Sequence, residues 1–381
     1  MKNIYLNTIL FLFLFLACNS AERESSIPVI NPKTAMRQEI RLSAIADEVT
    51  YIRFDTTKIF SGFSSFLFAD SLVFINTSNY GVLKYNSEGT FLKQIGGIGQ
   101  GPSEYNVHTR SAIDLENRQL FVYDEPGIIL TFSFDGELIS RTKTECTEKM
   151  ELFMPFGFNY HQGCFYLFYL IHPNPGCENY CWVVLDKEGK IISSKIFEHH
   201  IPFDNPGAGT RPQLFNYQFH QSPLYWNQYN DTIFRFSNGK PEAAYLWADG
   251  DFRLTPTHVN NRSTTECLIP LSIVDTKNYL FILYSMGHGQ RVLLLDKQKN
   301  TWIDSDKYLI DDINGGVVRI LYSYIQIAGE EYILSVSHAS KLKEALMESA
   351  TPRSMALAET IDEEDNNVIV AIRLKKQTFP Q

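Results

Sequence analysis

The stretch richest in glycine is LKQIGGIGQGPSEYNVH, residues 92–108. Spaced glycines can cradle a phosphate, but a dinucleotide-binding fingerprint places them between a strand and the start of a helix. Here Pro102 and a segment without helical periodicity follow, and the lysine of a phosphate-binding P-loop is absent. The pattern therefore predicts a crossover between two units of the fold, in which Pro102 fixes the backbone and Glu104 bonds loop amides.

Residues that could bind a metal or act as nucleophiles are scattered along the chain. Beyond Cys18 there are five cysteines, and the CENYC spacing of Cys177 and Cys181 lacks the second ligand pair of a zinc site. These two residues either close a small disulfide loop or remain buried thiols. The histidines form no H-E-x-x-H motif, and no G-x-S-x-G motif is present. The sequence predicts no cofactor and no metal, although several histidines could converge near the axis of the fold.

The candidates for ligand binding lie in the middle of the chain. The glycine-rich segment NPGAGTRPQLF, residues 205–215, carries Arg211, which could hold a carboxylate or be a solvated loop arginine. The segments FGFNYH (156–161) and LYWNQYN (224–230) combine aromatic rings with amides, as sites for sugars or peptides do, and as core strands rich in tyrosine also do. The predicted ligand-binding residues are Arg211, His220, Trp226 and Tyr229.

These residues must be positioned by a repeated unit. Strand-like runs separated by tight turns recur along the chain, and the turn residues are Gly89, Gly136, Gly189, Gly239 and Asn300. Glycine and asparagine accept the positive φ that a tight hairpin turn requires. Three or four strands at a period near 50 residues are typical of one blade of a β-propeller. Since one blade cannot bury both of its faces, the blades must stack around an axis.

The sixth copy of the repeat is irregular. Two strand-like runs, EYILSVS and NVIVAIRLKK, are separated by residues 338–366, whose first part has helix-forming composition that we expect Pro352 to end. This blade lacks an outer strand near the end of the chain, and the segment EVTYIRFD near the N-terminus can supply it. The predicted fold is an all-β, six-bladed β-propeller over residues 41–378, closed by an N-terminal strand, with a helical insertion in the last blade.

The first residues predict export. Lys2 precedes an apolar run that is too short to span a bilayer and has the length of a signal-peptide core. The run ends in FLAC, which resembles the lipobox of bacterial lipoproteins, and this implies cleavage before Cys18 and lipidation of that residue. The alternative is an ordinary signal peptide with Cys18 near the cut. We expect residues 1–17 to be the signal and the polar residues 18–40 to be a tether.

Composition limits the partners. The formal net charge is −9 and no basic stripe appears, so the sequence does not favour nucleic acid. Membrane contact is expected through the lipid anchor only. A glycan or peptide ligand and an envelope protein complex are the expected partners.

The residues above resemble a known family. The segments LSAIADEVTYIRFDTT, VLKYNSEGTFLKQIGGIGQGPSEY and LFVYDEPGIILTFSFDGELI follow the pattern of six-bladed β-propeller lipoproteins of Bacteroidota, with TolB-like or NHL-like architecture. The near-signature G-x-G-P-x-E-Y corresponds to Gly99–Tyr105 here, and the late acidic segment DEEDNN also resembles the family. The resemblance implies the fold and an envelope location, at the outer membrane on its periplasmic or surface side.

The function expected from the sequence is recognition or scaffolding without catalysis, by loops at one mouth of the propeller. The alternative is a propeller enzyme, such as a lyase, a lactonase or a glycan-acting hydrolase, with a metal or carboxylates at the axis. Whether the protein is an enzyme is left open at this stage.

Overall fold

The computed structural model describes residues 27–60, 63–106, 109–124, 126–146, 155–169, 180–198, 222–227, 230–247, 267–287, 289–306, 308–318 and 321–376. Over these residues the chain forms a six-bladed β-propeller with a small helical region near the C-terminus, which confirms the predicted fold class.

The N-terminal part of the chain contributes strands but no blade of its own. Its elements are β1 (Val29–Ile30), β2 (Met36–Arg37), helix α1 (Leu42–Ile45) and β3 (Ala46–Ile52).

The first three blades are consecutive four-stranded antiparallel sheets. Blade 1 contains β4 (Phe63–Ala69), β5 (Leu72–Thr77), β6 (Gly81–Asn86) and β7 (Phe91–Ile95), and a short parallel pair follows it, β8 (Gly97–Ile98) and β9 (Glu104–Tyr105). Blade 2 contains β10 (Arg110–Asp114), β11 (Gln119–Asp124), β12 (Ile128–Ser133) and β13 (Leu138–Lys143). Blade 3 contains β14 (Gly157–His161), β15 (Cys164–Phe168), β16 (Tyr180–Leu185) and β17 (Ile191–Ile196).

The last three blades each include a strand from the N-terminal part. Blade 4 contains β18 (Leu224–Tyr225), β19 (Thr232–Ser237) and β20 (Lys240–Trp247), with β1 at its edge. Blade 5 contains β21 (Leu268–Asp275), β22 (Tyr279–Met286), β23 (Gly289–Asp296) and β24 (Thr301–Ser305), with β2 at its edge, and a small ladder follows, β25 (Leu309–Ile310) and β26 (Val317–Val318). Blade 6 contains β27 (Leu321–Ile327), β28 (Glu330–Ser337) and β29 (Val368–Leu374), with β3 as its outer strand.

The turn before each outer strand has the backbone that the sequence predicts. The predicted turn residues all adopt positive φ, with values of +89, +82, +81, +77 and +51 degrees for Gly89, Gly136, Gly189, Gly239 and Asn300. This backbone lets a connection of a few residues follow the twist of the two strands it joins.

The ring is closed by strands from opposite ends of the chain, as predicted. β3 pairs antiparallel with β29, with Val49 opposite Ile372 and Ile52 opposite Ile369. Asn366, just before β29, is buried and reinforces this closure. Its Nδ2 donates to the carbonyls of Asp55 and Lys58 at 3.0 and 2.9 Å, and its Oδ1 accepts from the amide of Phe60 at 2.9 Å.

The N-terminal part forms a belt along the outside of three consecutive blades. β1 pairs parallel with β20 of blade 4, β2 pairs parallel with β24 of blade 5, and β3 completes blade 6. Residues 29–37, which the sequence assigns to the tether, therefore belong to the folded body. The physical reason is that the edges of β20 and β24 present unpaired amides and carbonyls, which β1 and β2 satisfy.

The helical insertion lies between β28 and β29, and it consists of two helices, α2 (Ala339–Ser349) and α3 (Pro352–Glu359). The first helix ends before Pro352, as predicted, since α2 stops at Ser349; the second helix, which Pro352 begins, was not predicted. Proline lacks the amide hydrogen that would be unpaired at the first turn, and its fixed φ suits this position. Thr351 caps the helix by accepting from the Ser354 amide at 3.0 Å, whereas Ala350, with φ of +51 degrees, ends α2.

Adjacent blades pack through aromatic rings. Blades 1 and 2 meet at Phe74 and Phe134, whose ring centroids are 5.1 Å apart, and blades 2 and 3 meet at Phe121 and Phe165, at 4.9 Å. The middle strands β5, β6, β11 and β15 are buried on both faces, since each of these sheets lies between two others. Aromatic pairs contribute more than their buried area alone, and they hold the blades at a fixed spacing.

Gly89 provides a direct test of the closure. Its carbonyl accepts from the Asp55 amide at 2.9 Å, and a Cβ at Gly89 would lie 1.7 Å from the carbonyl oxygen of Arg53. We expect Gly89→Ala to lower the free energy of unfolding by more than about 3 kcal/mol, because the left-handed backbone alone costs about 1–2 kcal/mol and the overlap with the main chain adds to it. Urea denaturation measures the loss.

Gly329→Ala is the matched control. Gly329 also has positive φ, +81 degrees, but nothing lies within 4 Å of an added Cβ. Its substitution should therefore cost only the backbone penalty of about 1–2 kcal/mol. Equal losses for the two variants would show that the contact between Gly89 and Arg53 is not tight in solution.

Candidate functional site

The two faces of the propeller carry different connections. The inner strands β4, β10 and β14 lie side by side, as do β21 and β27. In blade 4 the strands β18, β19 and β20 occupy the second, third and fourth positions, since Gly239 lies in the turn before the outer strand. Because successive strands of a blade are antiparallel, the turns after the first and third strands open on one face, and each has at most five residues where the structure describes both strands. The connections between blades, and those between second and third strands, open on the other face. They include the long insertion of residues 338–367. We call this second face the loop face.

The glycine-rich segment after β7 is a joint between blades 1 and 2, which confirms the prediction. Glu104 accepts from the amide of Gly101 at 2.6 Å, as expected for a carboxylate that holds loop amides. Arg141 of blade 2 donates to the carbonyl of Pro102 at 2.8 Å. The loop amide of Gly101 is therefore occupied by the protein's own carboxylate.

Tyr105 fastens this joint to blade 1. Its buried hydroxyl accepts from the amide of Val82 at 2.9 Å and donates to the carbonyl of Ile95 at 2.6 Å. Burial raises the pKa of Tyr105 to about 12, so the hydroxyl keeps its proton at neutral pH.

Three of the four predicted ligand-binding residues, Arg211, His220 and Tyr229, lie outside the described residues, as does Cys18. The fourth, Trp226, is buried and only 2% exposed. Its indole Nε1 donates to the carbonyl of Asn230 at 2.9 Å, and its ring packs on Trp247 with centroids 4.8 Å apart. The structure thus places Trp226 in the core rather than on a surface open to a ligand.

A cleft of about 280 Å³ opens between blades 3 and 4. It is lined by Cys181, Trp182, Lys195, Ile196, Phe197, Glu198, Asn227, Asn230 and Phe234. These residues come from the start of β16, the end of β17, the connection after β18 and the start of β19. Since these strand ends meet at the loop face, the cleft lies on that face.

The aromatic part of the cleft is rigid. Trp182 is 5% exposed, and its ring lies 4.9 Å from the ring of Tyr225 and 5.3 Å from that of Phe234. Blade 3 and blade 4 both contribute to this cluster, so the spacing of the blades fixes the width of the cleft. Trp182 itself is buried, so the rings that reach the cleft surface are those of the half-buried Phe197 and Phe234, and a wall fixed in this way costs a ligand little conformational entropy.

The polar part of the cleft contains an ion pair and two amides. Lys195 Nζ lies 2.5 Å from Glu198 Oε1, with both side chains largely exposed at the rim, and this bond raises the pKa of Lys195. Asn230 accepts from the amide of Thr232 at 3.4 Å through Oδ1, and Asn227 lines the cleft beside it. The cleft therefore presents charged and neutral groups next to an aromatic wall.

The cysteine that lines the cleft, Cys181, is buried. Burial raises the pKa of Cys181 to about 11, so the thiolate needed for nucleophilic attack is scarce at neutral pH. Cys146, Cys164 and Cys181 are buried free thiols, which favours this alternative over a disulfide between Cys181 and Cys177, although Cys177 lies outside the described residues.

The described ranges contain no group of three or more His, Cys, Asp or Glu side chains that could hold a metal. Only His161 and His338 among the histidines fall within those ranges, so convergence of histidines at the axis is not tested. None of the described helices has the length and apolar character needed to cross a membrane.

Sequence reasoning found part of the cleft. The segment LYWNQYN contains Asn227 and Asn230, which line it, but the chosen residue of that segment, Trp226, points into the core. Trp182, Lys195 and Glu198 were missed. The strand-like run CWVVLD gives no sign of which residue meets the neighbouring blade, because both faces of a middle strand are buried.

Removing the hydroxyl of Tyr105 tests how much its hydrogen bonds contribute to holding the joint on blade 1. We expect Tyr105→Phe to lower the free energy of unfolding by about 1–3 kcal/mol, because it leaves the buried Val82 amide and Ile95 carbonyl without their partner. Thermal and urea denaturation measure the change.

Tyr85→Phe is the control, since the Tyr85 hydroxyl is also buried but has no hydrogen-bond partner in the described part of the chain. Its removal should be neutral or slightly stabilising. A neutral Tyr105→Phe variant would contradict the role assigned to that hydroxyl.

Comparison with known proteins supports the fold. A family model described as "Domain of unknown function (DUF4934)" matches residues 27–373. A protein of Bacteroides fragilis named as an exported protein is similar in structure, with a TM-score of 0.66 at 15% sequence identity, covering 90% of this chain and 99% of that one. A protein of unknown function from Bacteroides thetaiotaomicron matches with a TM-score of 0.43 at 9% identity, covering 85% of this chain and 75% of that one. No curated protein matches the sequence.

Proposed function

Because the chain belongs to the DUF4934 family, which is described as a domain of unknown function, we propose its role from its own geometry. It is a non-catalytic binding propeller of the bacterial cell envelope, and it recognises a glycan in the cleft between blades 3 and 4.

The observation that carries this proposal is the composition of the cleft. An aromatic wall, with Phe197 and Phe234 at its surface and the buried Trp182 behind them, stands beside the amides of Asn227 and Asn230 and the ion pair of Lys195 with Glu198. Sugar rings have apolar faces that pack on aromatic side chains, and their hydroxyls both donate to carboxylates and accept from ammonium groups and amides. Because the rim carries both a positive and a negative side chain, it can bond to the many hydroxyl groups of a neutral sugar, whereas a ligand with a single charge would be attracted by one side chain and repelled by the other.

Export and anchoring rest on the N-terminal sequence. The signal-like run before Cys18 supports export, and the structural relative from Bacteroides fragilis is itself named as exported. We propose that Cys18 carries a lipid and that residues 19–28 link it to the belt, which starts at Val29 on the edge of blade 4. The body would then lie at the outer membrane, on its periplasmic or surface side, with no segment crossing the bilayer.

The cleft is tested by screening the purified mature chain against an array of neutral oligosaccharides and a peptide library. We expect a neutral oligosaccharide to bind, and the double variant Lys195→Met/Glu198→Gln to weaken that binding about tenfold or more. The reason is that charged partners form the stronger hydrogen bonds to ligand hydroxyls. Binding is measured by calorimetry.

The double variant Lys341→Met/Glu344→Gln is the matched control. This pair is also an exposed ion pair three residues apart, with an N to O distance of 2.7 Å, but it lies on α2. Since exposed pairs contribute little to stability, both double variants should fold normally, and only the first should lose affinity. Binding of peptides alone, or equal affinity for both double variants, would contradict a glycan cleft.

The anchor is tested by metabolic labelling with palmitate in a bacterial host that processes lipoproteins. We expect the wild-type chain to be labelled and membrane-associated, and Cys18→Ala to be unlabelled and released by washing, because the thiol is the attachment point. Cys177→Ala, which keeps Cys18, serves as the control. An unlabelled wild-type chain would show that the signal is an ordinary one.

A further inference from the structure

Arg110 occupies a distinctive place on the loop face. It is the first residue of β10, the inner strand of blade 2, and it lies next to the start of β14, the inner strand of blade 3. Inner strands surround the axis, so Arg110 lies at the loop-face end of the ring of inner strands, a place that we call the axial mouth. This place is separate from the cleft, whose residues come from the third and fourth strands of blade 3 and from blade 4.

The guanidinium of Arg110 is held by backbone carbonyls from two neighbouring blades. Its Nε donates to the carbonyl of Phe156 at 3.0 Å, and its Nη1 donates to the carbonyl of Thr109 at 3.0 Å. The Thr109 carbonyl also accepts from Nδ2 of the buried Asn76 at 3.1 Å. Blades 1, 2 and 3 together therefore fix the orientation of this one cation.

The charge of Arg110 has no carboxylate partner within the described ranges. A guanidinium carries five N–H donors, and two of them are used by the two carbonyls, so three are left for another partner. Burial lowers the pKa of Arg110, and no anion among the residues that the structure describes opposes this effect. The chain has 43 acidic residues against 34 lysines and arginines, so the lack of a described carboxylate beside Arg110 does not follow from a shortage of acidic residues.

We infer that Arg110 forms a carboxylate-binding subsite at the axial mouth, which takes the carboxylate of an acidic sugar. The planar guanidinium matches a carboxylate with two parallel hydrogen bonds, and a partly buried position strengthens them. Phe156, whose carbonyl orients the guanidinium, is 41% exposed, so its ring is available to the apolar face of the same sugar. The inference goes beyond the proposed function, since it concerns another place and a charged ligand group.

Calorimetry with trigalacturonate and with neutral galactotriose tests this subsite. Wild-type protein should bind the acidic trisaccharide at least tenfold more tightly than the neutral one. Arg110→Gln should abolish this preference, and Arg110→Lys, which keeps the charge but loses the planar fork, should retain only part of it. Sulfated galactotriose and a tripeptide with a free C-terminus separate a sugar carboxylate from other anions, and tighter binding of either would overturn the assignment.

Arg141→Gln is the matched control, because Arg141 also belongs to blade 2 and also donates to backbone carbonyls, but from the exposed outer strand β13. It should keep the preference for the acidic trisaccharide. Circular dichroism and melting temperature check that each variant folds. If Arg110→Gln does not fold, the Arg110→Lys variant carries the test.

Two further double variants test whether a carboxylate of the protein itself occupies Arg110, and whether this subsite acts independently of the cleft. Glu148 and Glu151 precede Phe156 in the chain but lie outside the described residues. Suppose that the wild-type protein showed no preference for the acidic trisaccharide but the double variant Glu148→Gln/Glu151→Gln did. A carboxylate of the protein itself would then occupy Arg110 in the wild type, and the inference would fail. The cleft variant Lys195→Met/Glu198→Gln should keep the acidic preference, so failure of the glycan cleft and failure of this subsite are distinguishable.

Discussion

The pairing of β3 with β29 is the constraint on which the rest of the structure depends. A propeller blade is hydrophobic on both faces, and only a closed ring gives every blade two neighbours. Here the last blade obtains its outer strand from the N-terminal part of the chain, in a ladder that runs from Ala46 opposite Leu374 to Ile52 opposite Ile369. Asn366 adds buried hydrogen bonds from the start of β29 to the entry of blade 1. Strand pairing thus completes the last blade, and the side chain of Asn366 joins that blade to the entry of the first.

Closure also determines where recognition can occur. With the blades fixed around the axis, the connections between strands alternate between the two faces of the propeller. On the face opposite the loop face, the described turns are too short to form a site. The loop face receives the joint at Gly99–Tyr105, the cleft between blades 3 and 4, the axial mouth at Arg110 and the helical insertion. The belt from β1 to β3 follows the outer edges of blades 4, 5 and 6, so it leaves the loop face open.

The sequence predicted the features that depend on local backbone chemistry. The glycines and Asn300 at the turns, the alternating strands and the missing strand of the last blade led to the six-bladed ring and its closure. The end of α2 before Pro352 was predicted, but α3 was not, because only the capping by Thr351 shows that the same proline also begins a helix. The sequence places residues 29–37 in the tether because the segment is polar and contains Pro32, and the two-residue strands β1 and β2 add no periodicity that would indicate otherwise.

The site was less predictable than the fold. Trp226 was chosen for its aromatic ring and polar neighbours, yet burial against Trp247 depends on a contact that no local pattern encodes. The sequence does not distinguish Arg110 from the other arginines, because its role depends on its surroundings in the folded chain: two carbonyls from different blades and no described carboxylate. Such arrangements arise from strands that are distant in sequence and adjacent only in the closed ring.

Native-state hydrogen exchange tests the central claim, that the strand β3 closes the ring, most directly. The backbone amides of β3 that bond to β29 should exchange only by global unfolding, with the same opening free energy as the amides of β5 and β11 in the middle of blades 1 and 2. Exchange of β3 through a separate opening of lower free energy, while β5 and β11 stay protected, would show that the ring holds without this strand and would contradict the account.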